Sequence, residues 1–245
     1  MTTSVRTEWR GRTLLVTIDR PERRNAVDHD TLLQLREAQK EAADGAARAL
    51  VLTGAPPAFC AGADLTGVED QEFVRALLAV LTGFGALPFT CIAAVDGPAL
   101  GAGSQLAIAC DVRVATPTSR FGVPAAKLGL AVDHWTVERL VREAGASIAR
   151  NMLLTATTYE AAALVAPGFV HRIGGLDVAL AWAAEIAELA PLTIAAHKLA
   201  LERSAPPPGA DELVQAARNR AWASADMNEG RQAFLDKRPP HFTGT

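Results

Sequence analysis

Three cysteines are all that the 245 residues carry, and Cys60, Cys91 and Cys110 fall into no C-x-x-C or C-x-x-H spacing. A disulfide framework is therefore excluded, as is a zinc site of the usual ligand spacing. The sparse, odd set lies among apolar residues and reads as small buried hydrophobes kept reduced, as in a cytoplasmic protein. No block of basic residues is present and the net charge is −3, which argues against a nucleic-acid partner. The first ten residues, MTTSVRTEWR, contain no apolar run, so no secretory leader is expected. Asp96 and Pro98 interrupt the longest apolar stretch, so no bilayer-spanning segment is expected either. The chain shows no metal-ligand cluster, tandem repeat or low-complexity tract.

What the chain does have is apolar mass. Hydrophobic residues make up 49%, enough for a sizeable core in one large domain, or in one domain with a small appendage. Residues 14–18 (LLVTI), 49–53 (ALVLT) and 91–95 (CIAAV) read as buried strands, and 112–115 (VRVA) returns to strand. Between them, a helix is predicted from about Asp30, with Leu32, Leu35, Ala38 and Ala42 on one face and Asp44-Gly45 as its stop. A second is predicted over about 72–82. This β-α-β-α-β order points to an α/β fold with right-handed crossovers. The second half reads as helical. Asp177 is the expected cap of one helix, Pro191 starts another, 205–209 (APPPG) is the clearest linker, and Asp211 is the expected cap of a further helix.

The most informative stretch is 99–111, ALGAGSQLAIACD, a glycine-rich turn that opens a helix directly after a buried strand. Such a turn can present backbone N–H groups to a developing negative oxygen, or it can be a plain strand-to-helix turn that needs small residues. A carboxylate one turn into the helix would move protons beside that oxygen, but position 105 is glutamine, which cannot. Gly101-x-Gly103 lacks the third glycine of a dinucleotide-binding fingerprint, and Ser104 is in no G-x-S-x-G elbow.

Five segments, in order, resemble the crotonase family, the enoyl-CoA hydratase/isomerase superfamily. They are DRPERRNAVD (19–28), VLTGAPPAFCAGADL (51–65), AVDGPALGAGSQLAIACDVRVA (94–115), RFGVPAAKLGLAVD (120–133) and EGRQAFLDKRPP (229–240). The motifs GLAVDHW and KRPPHF look like an actinobacterial branch. That branch is associated with long acyl-CoA in mycolic-acid metabolism and with no clear hydratase chemistry. The resemblance implies the α/β crotonase (ClpP-like) fold, a right-handed ββα spiral over 1–175 carrying the CoA site and oxyanion hole. It also implies a C-terminal helical trimerisation region over 176–245, giving a homotrimer or a dimer of trimers.

By resemblance, the N–H groups of Ala63 and Ala102 form the oxyanion hole for a thioester carbonyl. Ala26, Ala61, Ala63, Asp64 and Leu65 line the adenine and pantetheine pocket. Phe234 and Lys237 reach the nucleotide, within the subunit or across to a neighbour. Arg23 and Arg24 either meet the phosphates of CoA or serve as plain surface charge. Hydratases of the family use two glutamates. The first aligns with Gln105 and the second with Ala125, in FGVPA. Asp133 aligns with an aspartate that some dienoyl-CoA isomerases use for proton transfer, and it is equally placed to cap the helix that follows. Phe73, Leu77, Leu78, Leu81, Phe84 and Trp135 either line an acyl channel or belong to the core.

The expectation is thus a cytoplasmic acyl-CoA-binding protein of fatty-acid or mycolic-acid lipid metabolism, with long chains as ligands and hydratase activity weak or lost. An isomerase using Asp133, or the nominal enoyl-CoA hydratase (a lyase), are the alternatives. No cofactor is implied, because coenzyme A is part of the ligand. A partner enzyme of lipid synthesis would suit a carrier, and no residue pattern identifies one.

Overall fold

Strands β2 (Thr13–Ile18), β3 (Ala49–Gly54) and β4 (Thr90–Val95) are buried along nearly their whole length. Runs of this kind pair in parallel, because helices must cover both faces. In the computed structural model, which describes residues 3–64, 71–204, 216, 219–220 and 222–243, β2 pairs in parallel with β3 and β3 with β4. β1 (Val5–Arg10) adds an antiparallel edge. β6 (Val112–Ala115) and β9 (Arg172–Ile173) complete a six-stranded sheet of order β1-β2-β3-β4-β6-β9. A second sheet has the order β5-β7-β8, from Pro98–Leu100, Arg120–Gly122 and Tyr159–Glu160. The mixed α/β architecture agrees with the expectation from sequence.

The chain divides into two compact units. The first comprises Met1–Phe121 and Tyr159–Ala205, and the second Gly122–Thr158 and Pro206–Thr245. In the first, helix α1 (His29–Asp44) starts where the Asp28 carboxylate accepts from the Thr31 N–H (2.8 Å) and its hydroxyl (2.6 Å). It buries Leu32, Leu35, Ala38 and Ala42, the predicted stripe. Each leucine contributes about 1.5–3 kcal/mol. Helix α2 runs Gln71–Ala86, and every residue of the short helix α3 (Ala102–Ala109) is buried. In the second unit lie α4 (His134–Ala144), α5 (Ala146–Leu154) and the helix Ala225–Leu235. There Gly129 and Gly230 let the 124–129 segment and the 225–235 helix approach at backbone distance.

Back in the first unit, α6 (Leu176–Ala187) lays Ala179, Ala183 and Ile186 on Leu15, Val51, Ile92 and Val114 of the sheet. Its N-cap is Gly175, not the expected Asp177, which sits in the first turn and makes no cap bond. A carboxylate there still favours the positive helix end. The linker 205–209 and Asp211 lie outside the described residues.

Two buried cations tie elements to the main sheet. Arg113, fully buried, donates to the Phe169 carbonyl (2.7 Å) and to the Cys110 and Ala107 carbonyls that end α3 (3.1 and 3.3 Å). Lys198, on α7 (Pro191–Glu202), donates to the Phe89 carbonyl (2.9 Å) and to Asp111 Oδ2 (2.7 Å). The same oxygen accepts the Cys91 N–H (2.7 Å). Burial alone would lower the Lys198 pKa; Cys91 and Asp111 outweigh it and hold it above its ordinary value. Lys198→Met should cost about 3 kcal/mol in urea unfolding, because Asp111 is left without its cation. Pairing it with Asp111→Asn should recover part of the loss.

All three thiols are free and buried. Burial pushes Cys60 and Cys91 up to about 12 and raises Cys110 as well. The folded state therefore keeps protons that unfolded thiols release above their usual 9.0. This contribution is complete below pH 9 and is lost as pH climbs towards 12, by about 1.4 kcal/mol per pH unit for each thiol. The urea midpoint should fall across that window, and Cys60→Ala should make the fall shallower. At pH 8 a thiol reagent should label none of the three until the chain is unfolded.

Candidate functional site

Three chain segments run side by side at one end of the first unit. The turn 20–28 is fastened by Asn25, a buried side chain at φ 57°. Its Nδ2 donates to the Ala55 and Ala58 carbonyls (2.6 Å each), and its Oδ1 accepts the Arg20 N–H (2.8 Å). The loop 60–64 lies against that turn. Ala61 N–H donates to the Arg24 carbonyl (3.0 Å), Val27 N–H to the Gly62 carbonyl (2.9 Å), and Asp64 N–H to the Val27 carbonyl (2.8 Å). On its other side the loop meets β5, with Cys60 N–H on the Pro98 carbonyl and Leu100 N–H on the Cys60 carbonyl (3.0 Å each).

This ladder aims two backbone donors. The Gly62 carbonyl and the Ala63 N–H belong to one planar trans peptide, so they point in opposite directions. Anchoring the Gly62 oxygen on Val27 turns the Ala63 N–H away from the 20–28 turn. The peptide between Gly101 and Ala102 works alike. Gln105 N–H donates to the Gly101 carbonyl (3.0 Å), the first bond of α3, and this directs the Ala102 N–H out of the helix end. Neither the Ala63 nor the Ala102 N–H has an acceptor among the described residues. The two peptides are neighbours, because a β-carbon on Gly101 would stand 3.8 Å from the Gly62 α-carbon.

Glycine is required at three points here. Gly62 (φ 131°) and Gly101 (φ 53°) hold conformations that a side chain resists. A β-carbon at Gly103 would overlap the Cys60 carbonyl oxygen. Backbone N–H groups with no acceptor among the described residues, one of them at a helix N-terminus, are groups that can donate to a partly negative oxygen.

A sequence profile described as enoyl-CoA hydratase/isomerase matches residues 10–245. The chain belongs to the enoyl-CoA hydratase/isomerase family. It is similar to the probable enoyl-CoA hydratase echA6 of Mycobacterium tuberculosis, 43% identical over 236 residues, 94% of this chain and 96% of the relative. It is also similar to 2,3-dehydroadipyl-CoA hydratase of Escherichia coli, 37% identical over 248 residues, 95% of this chain and 96% of that one. Among solved structures, carnitinyl-CoA hydratase from Mycobacterium avium is 31% identical with a TM-score of 0.88, each chain covered completely. A methylmalonyl-CoA decarboxylase superposes at 0.91 with 25% identity, again over both whole chains. These are crotonase-fold proteins, and this chain has their fold.

The remaining family positions can be placed. Gln105 is 5% exposed, in the first turn of α3. Ala26 and Ala61 are half-buried beside the ladder, Asp64 pairs with Arg20 (3.4 Å), and Leu65 lies outside the described residues. Arg23 and Arg24 are exposed, and Arg24 contributes its carbonyl to the ladder. The other positions are in the second unit. Ala125 sits in a short 3-10 turn. Asp133 caps α4, with Oδ1 on the Thr136 N–H (2.9 Å) and Oδ2 on its hydroxyl (2.8 Å). Phe234 and Lys237 are exposed near the end of the 225–235 helix. There Arg238 clasps Glu229 (2.6 Å); that bond, with the His241 N–H, holds the Glu229 carboxyl down to about 2.

Of the apolar residues proposed for an acyl channel, Phe73, Leu81 and Phe84 are buried in the core, whereas Leu77 is half-buried and Leu78 exposed. Trp135 is half-buried on α4. Sequence reasoning passed over Asn25 and Arg20. An asparagine just after a Pro-initiated turn was a signal for a left-handed position; Arg20 gave none.

Gly103→Ala should force α3 away from Cys60. Overpacking of this kind costs about 1–3 kcal/mol. Its effect should appear as a lower melting temperature in calorimetry.

Proposed function

We propose that the chain binds acyl-CoA thioesters by clamping the carbonyl oxygen between the Ala63 and Ala102 N–H groups, and that it hydrates them poorly or not at all. The observation that carries this reading is the pair of aimed N–H groups with no acceptor among the described residues, in a chain with Gln105 and Ala125 at the two positions where family hydratases have glutamates. The donors are main-chain groups and do not depend on the side chains at positions 105 and 125. The acids do not. A positioned acid or base contributes about 10²–10⁴-fold to a proton-transfer step. An oxyanion donor contributes about 3 kcal/mol where charge develops. With both acids gone, polarisation of the carbonyl persists while activation of water is lost.

Affinity must then come from the rest of the ligand. A long acyl chain adds about 0.8 kcal/mol per buried methylene, which favours long chains and a place in fatty-acid or mycolic-acid metabolism. Cytoplasmic residence and a trimer or dimer of trimers complete the reading. Asp133 is occupied as a helix cap, so the isomerase alternative draws no support from its geometry.

The test is mass spectrometry of saturated, 2-enoyl, 3-enoyl and dienoyl esters, short and long, incubated with stoichiometric protein in deuterated water. The expected result is bound ester with neither added water nor deuterium on carbon. The double variant Gln105→Glu/Ala125→Glu should then gain measurable hydration of a 2-enoyl ester. Water added by the unmodified protein would overturn the reading. So would carbon-bound deuterium that disappears in Asp133→Ala, which would assign an isomerase.

A further inference from the structure

We infer that Arg20 is a positioning residue for thioester polarisation, a role that rests on the carbonyl-clamp reading above and deepens it. The residue is 14% exposed at its side chain, and its guanidinium reaches three acceptors on two segments. Nη2 meets Asp28 Oδ2 at 2.7 Å and Asp64 Oδ2 at 3.4 Å, and Nη1 donates to the Ala26 carbonyl. These partners are not scattered. Ala26 and Asp28 flank Val27, whose N–H holds the Gly62 carbonyl, and Asp64 directly follows Ala63. Arg20 thus brackets the single peptide contact that turns the Ala63 N–H towards a ligand.

The bracket is tied to a rigid element. Asp28 accepts from Thr31 through Oδ1 as the cap of α1 and offers Oδ2 to Arg20. Helix α1 therefore fixes Asp28, Asp28 fixes the guanidinium, and the guanidinium fixes Asp64. Asp64 is held a second time through its N–H on the Val27 carbonyl (2.8 Å). A planar guanidinium can serve two carboxylates and a carbonyl at once, whereas an ammonium is a point charge on a flexible stem. Arg20 itself has no need to touch the ligand. Its effect is on the direction of one N–H bond, and hydrogen bonds weaken steeply with misalignment. The ladder bonds of Ala61 and Cys60 remain without it, so the loop stays in place while its donor loses its aim.

The experiment uses the full chain and a dimethylaminocinnamoyl-CoA thioester, whose absorption moves to the red when its carbonyl oxygen accepts hydrogen bonds. Spectra are taken at saturating protein, so that the band position reports polarisation and not occupancy. The unmodified protein should shift the band. Arg20→Met should retain less than half of that shift and bind about tenfold more weakly. Arg20→Lys should fall between the two, and Asp64→Asn should resemble Arg20→Met. A melting curve for each variant separates loss of fold from loss of aim. If Arg20→Met does not fold, Arg20→Lys and Asp64→Asn decide the matter. A full band shift in the folded variants would overturn the role of Arg20 and leave the carbonyl clamp standing. A bound thioester with no shift in the unmodified protein would overturn both.

Discussion

The site depends on the rigidity of the peptide bond. A carbonyl and the N–H that follows it share one plane, so fastening the oxygen decides where the hydrogen points. The chain uses this twice. Val27 fastens the Gly62 oxygen, and Gln105, through its backbone, fastens the Gly101 oxygen. One anchor is a bridge between loops and the other is the first bond of a helix, yet both free a donor beside the same glycine contact. The parallel ladder of β2, β3 and β4 delivers the three segments to one end of the sheet in the register that these bonds require.

Two buried cations and the half-buried Arg20 cross-link the segments of this unit. Arg113 gathers the carbonyls that close α3, Lys198 joins α7 to the start of β4, and Arg20 joins the two loops of the ladder. Arg113 and Lys198 each reach a backbone carbonyl at or beside the end of an element, and Arg20 reaches the Ala26 carbonyl of the turn. A cation with several acceptors can cross-link segments far apart in sequence, at a desolvation cost that apolar packing would avoid. In return it fixes direction, which apolar contact alone does not.

Legibility of the sequence followed the range of the interaction. The runs at 14–18, 49–53 and 91–95 are strands because nearly all their residues are buried, and such runs stand out. β1 has one buried residue out of six, so VRTEWR carried no strand signal, and its pairing with β2 is what makes it a strand. The α1 stripe was plain, but the α6 cap passed from Asp177 to Gly175, one turn-geometry step that composition does not record. The glycine turn at 101–103 could be read directly because it is local, whereas Gln105 and Ala125 stood out only through the resemblance to the family's motifs. The Arg20–Asp64 contact spans 44 residues. Asn25 reaches carbonyls 30 and 33 residues away. Such partners are chosen by the fold and leave no periodicity behind.

Helix α3 is buried along its whole length. All eight of its residues are enclosed, and its first turn supplies a donor that no codon specifies as a side chain. Position 105 can therefore change its side chain without moving that N–H, whose direction is set by the path of the chain.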